Sequence, residues 1–189
     1  MISWMQIVRL SRPWSTVLIA GLLAGCEPPA PNPERVLLED NFEHPAPPWS
    51  PEGLYSNERA HSWNQSLKVG QTAEYGALSG GTWEALGKPH HLRLRLWAWL
   101  PLAPQNRASL EVVTRHPGAV PGVAAQQLSS HSFNLCEVVR RYQQWVPTTF
   151  YVSLPRSLEP ADEVVFFIWV RPGLDSPIYV DDFSIEKLD

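Results

Sequence analysis

Arg93, Arg95, Trp97 and Trp99 fall on alternate positions of His91-Leu92-Arg93-Leu94-Arg95-Leu96-Trp97-Ala98-Trp99-Leu100, with leucines and an alanine between them. A strict period of two puts these four on one face of a strand and the aliphatic set on the other. Indole rings offer a flat apolar surface to the C–H face of a sugar, and guanidinium forks donate to hydroxyls or, bidentately, to a carboxylate. The same reading places Trp169 and Arg171 opposite Phe166, Ile168 and Val170, and Tyr151 opposite Phe150 and Val152. Arg93, Arg95, Trp97, Trp99, Tyr151, Trp169 and Arg171 are therefore the candidate ligand-binding set, lining an accessible groove of the kind that takes a small ligand. The alternative is that the tryptophans fill the second face of a sandwich, with Arg93 and Arg95 paired to Glu111 on a neighbouring strand. Arginine resists burial, which favours the groove.

Catalytic patterns are absent from the sequence. There is no Gly-x-Ser-x-Gly elbow, no His-Glu-x-x-His helix and no phosphate-binding glycine loop; Gly76-Ala77-Leu78-Ser79-Gly80-Gly81 lacks that spacing and reads as a turn. The neighbours His90 and His91 face opposite sides of a strand, which is poor geometry for a shared metal. A non-catalytic protein is expected.

The elements that must position the aromatic set are strands. Beyond residues 91–100, runs of the same kind cover 109–114, 148–154, 163–170 and 178–185, each bounded by Pro or Gly, with shorter candidates at 36–42, 66–69 and 82–86. Residues 118–130 read as a long loop. Many short strands with turn signals between them, and no long helical period, predict an all-β antiparallel β-sandwich or jelly roll over residues 35–189.

The first 34 residues have a different logic. Arg9 and Arg12 precede an apolar run over 17–23 that closes on Leu23-Ala24-Gly25-Cys26. The run is far below the about 20 residues that span a bilayer, so it reads as a secretory signal, residues 1–25. Leu-Ala-Gly-Cys resembles the lipobox of bacterial lipoproteins, which implies that Cys26 is lipidated and becomes the first mature residue. Acyl chains then anchor the protein, each buried methylene contributing about 0.8 kcal/mol. Residues 26–34, with Pro28-Pro29-Ala30-Pro31-Asn32-Pro33, form an extended tether. Glu27 after the cysteine favours the outer membrane of a Gram-negative cell. Removal of the signal leaves 13 Lys+Arg against 19 Asp+Glu, formally −6, a balance with no reason to seek nucleic acid or anionic headgroups. Cys136 is then the one remaining cysteine, which excludes an intramolecular disulfide and points to a core thiol.

The ordered set Asp40-Asn41-Phe42-Glu43, Ala60-His61-Ser62-Trp63-Asn64-Gln65-Ser66-Leu67-Lys68-Val69, Trp145, Leu154-Pro155, Val165-Phe166-Phe167-Ile168-Trp169 and Ile178-Tyr179-Val180-Asp181-Asp182-Phe183-Ser184-Ile185 resembles the galactose-binding-like jelly rolls that include many carbohydrate-binding modules. The resemblance implies a glycan ligand. It also implies a structural calcium tying the first strand to the last, with Glu43 and Asp181 as metal ligands beside carbonyls of the turn at 61–63, where the family's usual glycine is replaced by Trp63. The alternative is that Asp181 and Asp182 cap a strand edge while Glu43 is solvated. Two functions stand open: a monomeric lipoprotein that binds a carbohydrate, and a structural or assembly lipoprotein that binds a protein partner in the cell envelope.

Overall fold

The computed structural model describes residues 33–45, 54–70, 73–101, 108–118, 124–171 and 176–189. Cys26, the signal sequence and most of the tether lie outside the described residues. In chain order the elements are β1 (Val36–Asp40), β2 (Tyr55–Ser56), β3 (Ser66–Val69), β4 (Tyr75–Thr82), β5 (His91–Trp99), β6 (Ala108–His116), β7 (Gln126–Asn134), α1 (Leu135–Val138), β8 (Trp145–Ser153), β9 (Glu163–Val170) and β10 (Ile178–Lys187). They form two antiparallel sheets, a six-stranded one in the order β2-β3-β10-β5-β8 with β1 also paired to β10, and a four-stranded one in the order β4-β9-β6-β7. The fold is an all-β sandwich.

Alternation builds the core. Leu92, Leu94, Leu96 and Ala98 of β5 point inward, as do Val164, Phe166, Ile168 and Val170 of β9, and all eight are almost fully buried. Phe166 and Phe183 meet across the two sheets with ring centroids 6.2 Å apart, and Phe133 packs on Phe150 at 5.1 Å. Cys136 is buried in the same core, and burial pushes its thiol up.

Three strands were illegible to periodicity: β4, β7 and the two-residue β2. The Gly76–Gly81 stretch is not a turn but the body of β4, paired with β9 from Tyr75 opposite Trp169 to Thr82 opposite Glu163. Gly76 is there for close approach: a Cβ on it would stand 2.4 Å from Val69 Cγ2 and 3.0 Å from Leu67 Cδ2. The turn falls instead at 83–87, where residues 82–86 read as a strand. β7 occupies part of the segment read as a loop, because an edge strand buries little and its sequence carries mostly Ser, Gln and His.

Gly76→Ala is expected to destabilise the domain by about 1–3 kcal/mol through overpacking against Leu67 and Val69. Gly81→Ala, whose Cβ meets only Leu86 at 3.9 Å, is the matched control and should change stability by less than about 0.5 kcal/mol. Thermal unfolding of the two variants checks both.

Candidate ligand-binding face

The seven candidate residues divide between two sheets. Arg93, Arg95, Trp97 and Trp99 share the outer face of β5 as read, and Tyr151 of β8 lies directly opposite Arg93 in register. Trp169 belongs to β9, in the other sheet, and Arg171 follows the end of that strand, exposed. No single groove holds all seven, because β9 pairs only with β4 and β6.

On the six-stranded sheet, the segment over residues 57–65 crosses the outer face. The Arg59 guanidinium lies 3.9 Å over the Trp99 ring, and the His61 ring stacks on Trp97 at 3.7 Å and 16°. Glu58 accepts from the Tyr179 hydroxyl and from Lys68, both at 2.6 Å. Trp99 is left 8% exposed. The expected open tryptophan face is therefore largely covered, by planar side chains that take the stacking positions themselves. The arginines are also engaged. Glu186 of β10, fully buried, ion-pairs with Arg93 and, at 3.3 Å, with Arg95. Glu111, the sequence-level alternative partner, is on β6 in the other sheet. The hydrogen bond to Glu186 holds the Arg93 guanidinium above its ordinary value. Tyr151 of β8 is 63% exposed.

Glu43 and Asp181 do converge on the turn at 61–65, as the family resemblance implies, but on its N–H groups. Glu43 Oε1 accepts from the Asn64 and Gln65 amides, both at 2.7 Å. Asp181 Oδ2 accepts from the His61 and Ser62 amides at 2.8 and 3.1 Å, and its Oδ1 from the Asp182 amide at 2.8 Å. Burial pushes the Asp181 carboxyl up to about 6 against the pull of these three donors. Calcium wants six to eight oxygens. Among the described residues no three His, Cys, Asp or Glu side chains are grouped to hold a metal, and the turn offers Glu43 and Asp181 four N–H donors where a cation needs oxygens, so the residues as arranged do not fit the ion. Trp63 takes the left-handed turn conformation expected of glycine, φ 54°, with its ring 80% exposed.

The outer face of the four-stranded sheet is different, and the sequence signal for most of it was missed. Register sets Tyr75, Trp169 and Ser109 side by side across β4, β9 and β6, with Asn134 of β7 next to Ser109. The adjacent row is Ala77, Phe167, Glu111 and Ser132, and beyond it Val165 lies beside Val113 and Ser130. Directly opposite Cβ atoms in such rows are about 4.5–5.5 Å apart. The Tyr75 and Phe167 rings lie 5.9 Å apart, and Tyr75 is 56% exposed. Glu111 Oε1 accepts from the hydroxyls of Ser109 and Ser132, the latter at 2.6 Å. No described residue bonds its Oε2. The face thus has an aromatic half on β4 and β9 and a hydroxyl, carboxylate and amide half on β6 and β7. Phe167 and Glu111 could have been found by extending to them the period-two reading that gave Trp169. Tyr75 could not, because its strand was hidden in the glycine run.

No family model matches the chain, and no curated protein matches it in sequence. Solved structures do resemble it. The tandem CBM22-1–CBM22-2 domain of Paenibacillus barcinonensis Xyn10C is 16% identical, with TM-score 0.50, over 81% of this chain and 50% of that one. The C-terminal family 22 carbohydrate-binding module of Clostridium thermocellum Xyn10B is 14% identical, with TM-score 0.47, over 83% and 97%. The CBM22-1 xylan-binding domain of the Paenibacillus protein is 15% identical, with TM-score 0.45, over 82% and 95%. The tandem domain bears on architecture: the sandwich described above is a fold used by carbohydrate-binding modules.

Truncating Glu186 removes the buried carboxylate that neutralises two partly buried guanidinium groups beside each other. Glu186→Ala is expected to cost about 3 kcal/mol, which lowers Tm by roughly 6–12 °C in a domain of this size. Arg93→Ala, which leaves Glu186 paired with Arg95, should cost clearly less. Equal losses in the two variants would contradict this reading of the ion pairs.

Proposed function

We propose that the protein is a non-catalytic, lipid-anchored carbohydrate-binding protein whose ligand lies on the outer face of the four-stranded sheet. The observation that carries the proposal is the pairing of Tyr75, Phe167 and Trp169 with Glu111, Ser109 and Ser132 on four adjacent strands. A pyranose laid on the aromatic half presents its C–H face to the rings and its edge hydroxyls to Glu111 Oε2 and the Ser132 hydroxyl, while buried Ser109 holds Glu111 in place. Strands, rather than loops, hold all of these groups, which limits the ordering cost of binding. The shared fold with a tandem of carbohydrate-binding modules supports the same reading.

Xylan, which the Paenibacillus CBM22-1 domain is described as binding, is the first polymer to test, beside cellulose, β-glucan and a uronate polymer. Trp169→Ala and Tyr75→Ala should each remove about 1.4 kcal/mol of stacking, about tenfold in affinity. Tyr151→Ala, on the other sheet, should leave affinity unchanged. Calorimetric or gel-retardation titration checks this; a tenfold loss in Tyr151→Ala with none in Trp169→Ala would contradict it.

The anchor is part of the proposal. Leu23-Ala24-Gly25-Cys26 supports lipidation at Cys26 and residence in the cell envelope, on the outer membrane of a Gram-negative cell, with residues 26–34 as spacer. Among the described residues no helix is long and apolar enough to cross a membrane. Cys26→Ser is expected to move the expressed protein out of the membrane fraction on cell fractionation; retention there would contradict lipidation.

A further inference from the structure

We propose that the segment over 57–65 is fastened to the six-stranded sheet by a metal-free clamp, in which His61 and the backbone amides of 61–65 take the place of the calcium that the family resemblance implies. Three carboxylates from two distant parts of the chain supply the acceptors. Glu43 follows β1 and holds Asn64 and Gln65. Asp181 and Asp182 lie in β10 where its register with β5 shifts. Asp181 holds the amides of His61 and Ser62. Asp182 holds their side chains: His61 Nδ1 donates to Oδ2 and the Ser62 hydroxyl to Oδ1, each at 2.6 Å.

The donors are as informative as the acceptors. A calcium site presents carbonyl oxygens to the cation, whereas this turn presents four amide N–H groups, a hydroxyl and an imidazole N–H to the carboxylates. Both arrangements solve the same problem, which is to bring acidic groups, the fully buried Asp181 among them, and a loop together without an unpaired charge or orphaned donor. His61 also does something an ion cannot. Its ring is fixed between Asp182 on one side and the Trp97 face on the other, with Trp145 edge-on at 5.8 Å. The clamp therefore closes the segment directly over Trp97, and Arg59 over Trp99 extends that cover along β5.

The test is thermal unfolding of the purified full chain in EGTA and in millimolar calcium, with the Asp182→Asn variant beside it. The clamp predicts the same Tm in both buffers, to within about 1 °C. A calcium site loaded at 100 times its Kd would instead raise Tm by roughly 5–10 °C, and that rise, or stoichiometric calcium uptake by calorimetry, would overturn the proposal. Asp182→Asn, which cannot accept at both positions, should lower Tm by a similar amount in either buffer and increase acrylamide quenching of tryptophan as Trp97 is uncovered. A loss seen only in calcium would contradict the clamp. If Asp182→Asn does not fold, the wild-type chelator comparison and the milder Glu43→Gln, which weakens two amide bonds at the edge of the segment, carry the decision.

Discussion

The rest of the molecule depends on the shift of register in β10 between Asp181 and Ser184. Tyr179 and Asp181 point outward opposite Trp99 and Trp97, and strict alternation would then send Phe183 out and Ser184 in. The extra residue, Asp182, sits at φ 47° and reverses the parity. Aspartate tolerates the left-handed region better than most residues. Phe183 and Ile185 therefore enter the core, while Ser184 and Glu186 face outward beside Arg95 and Arg93. One irregularity thus supplies the cross-sheet contact of Phe183 with Phe166, the carboxylate that neutralises two arginines, and the pair of aspartates that holds the covering segment.

The two outer faces are consequently unlike. On the six-stranded sheet, aromatic and cationic groups are numerous, but each is answered within the chain: Trp99 by Arg59, Trp97 by His61, the arginines by Glu186. On the four-stranded sheet fewer aromatic groups are present, and no segment among the described residues stacks over Trp169, Phe167 or Tyr75 other than their own neighbours. Aromatic count is a poor guide to a binding face when intramolecular partners are available; solvent exposure beside polar acceptors is the better one.

Much of the fold was legible in the sequence because a strand with one buried face must alternate. The β5, β8, β9 and β10 runs could be read directly from their apolar residues, and the sandwich followed. β4 was hidden because it carries three glycines, of which Gly76 answers to the packing of Leu67 and Val69, a tertiary demand that has no local signature. β7 was hidden because an edge strand needs few apolar residues. At the candidate site, period two identified the face each residue takes but not which sheet the strand joins. Trp169 shares its side-chain type with Trp97 and Trp99, and only the topology separates them. The partner of Arg93 and Arg95 is Glu186 rather than Glu111, because the parity change in β10 is set by a bulge that sequence spacing does not show.

The most direct measurement is a titration of the indole Nε1–H resonances by NMR with an oligosaccharide that binds. The account predicts that the Trp169 resonance shifts progressively with ligand while those of Trp97 and Trp99, held under His61 and Arg59, stay in place. Movement of Trp97 and Trp99 with Trp169 unaffected would contradict it and return the binding face to the six-stranded sheet.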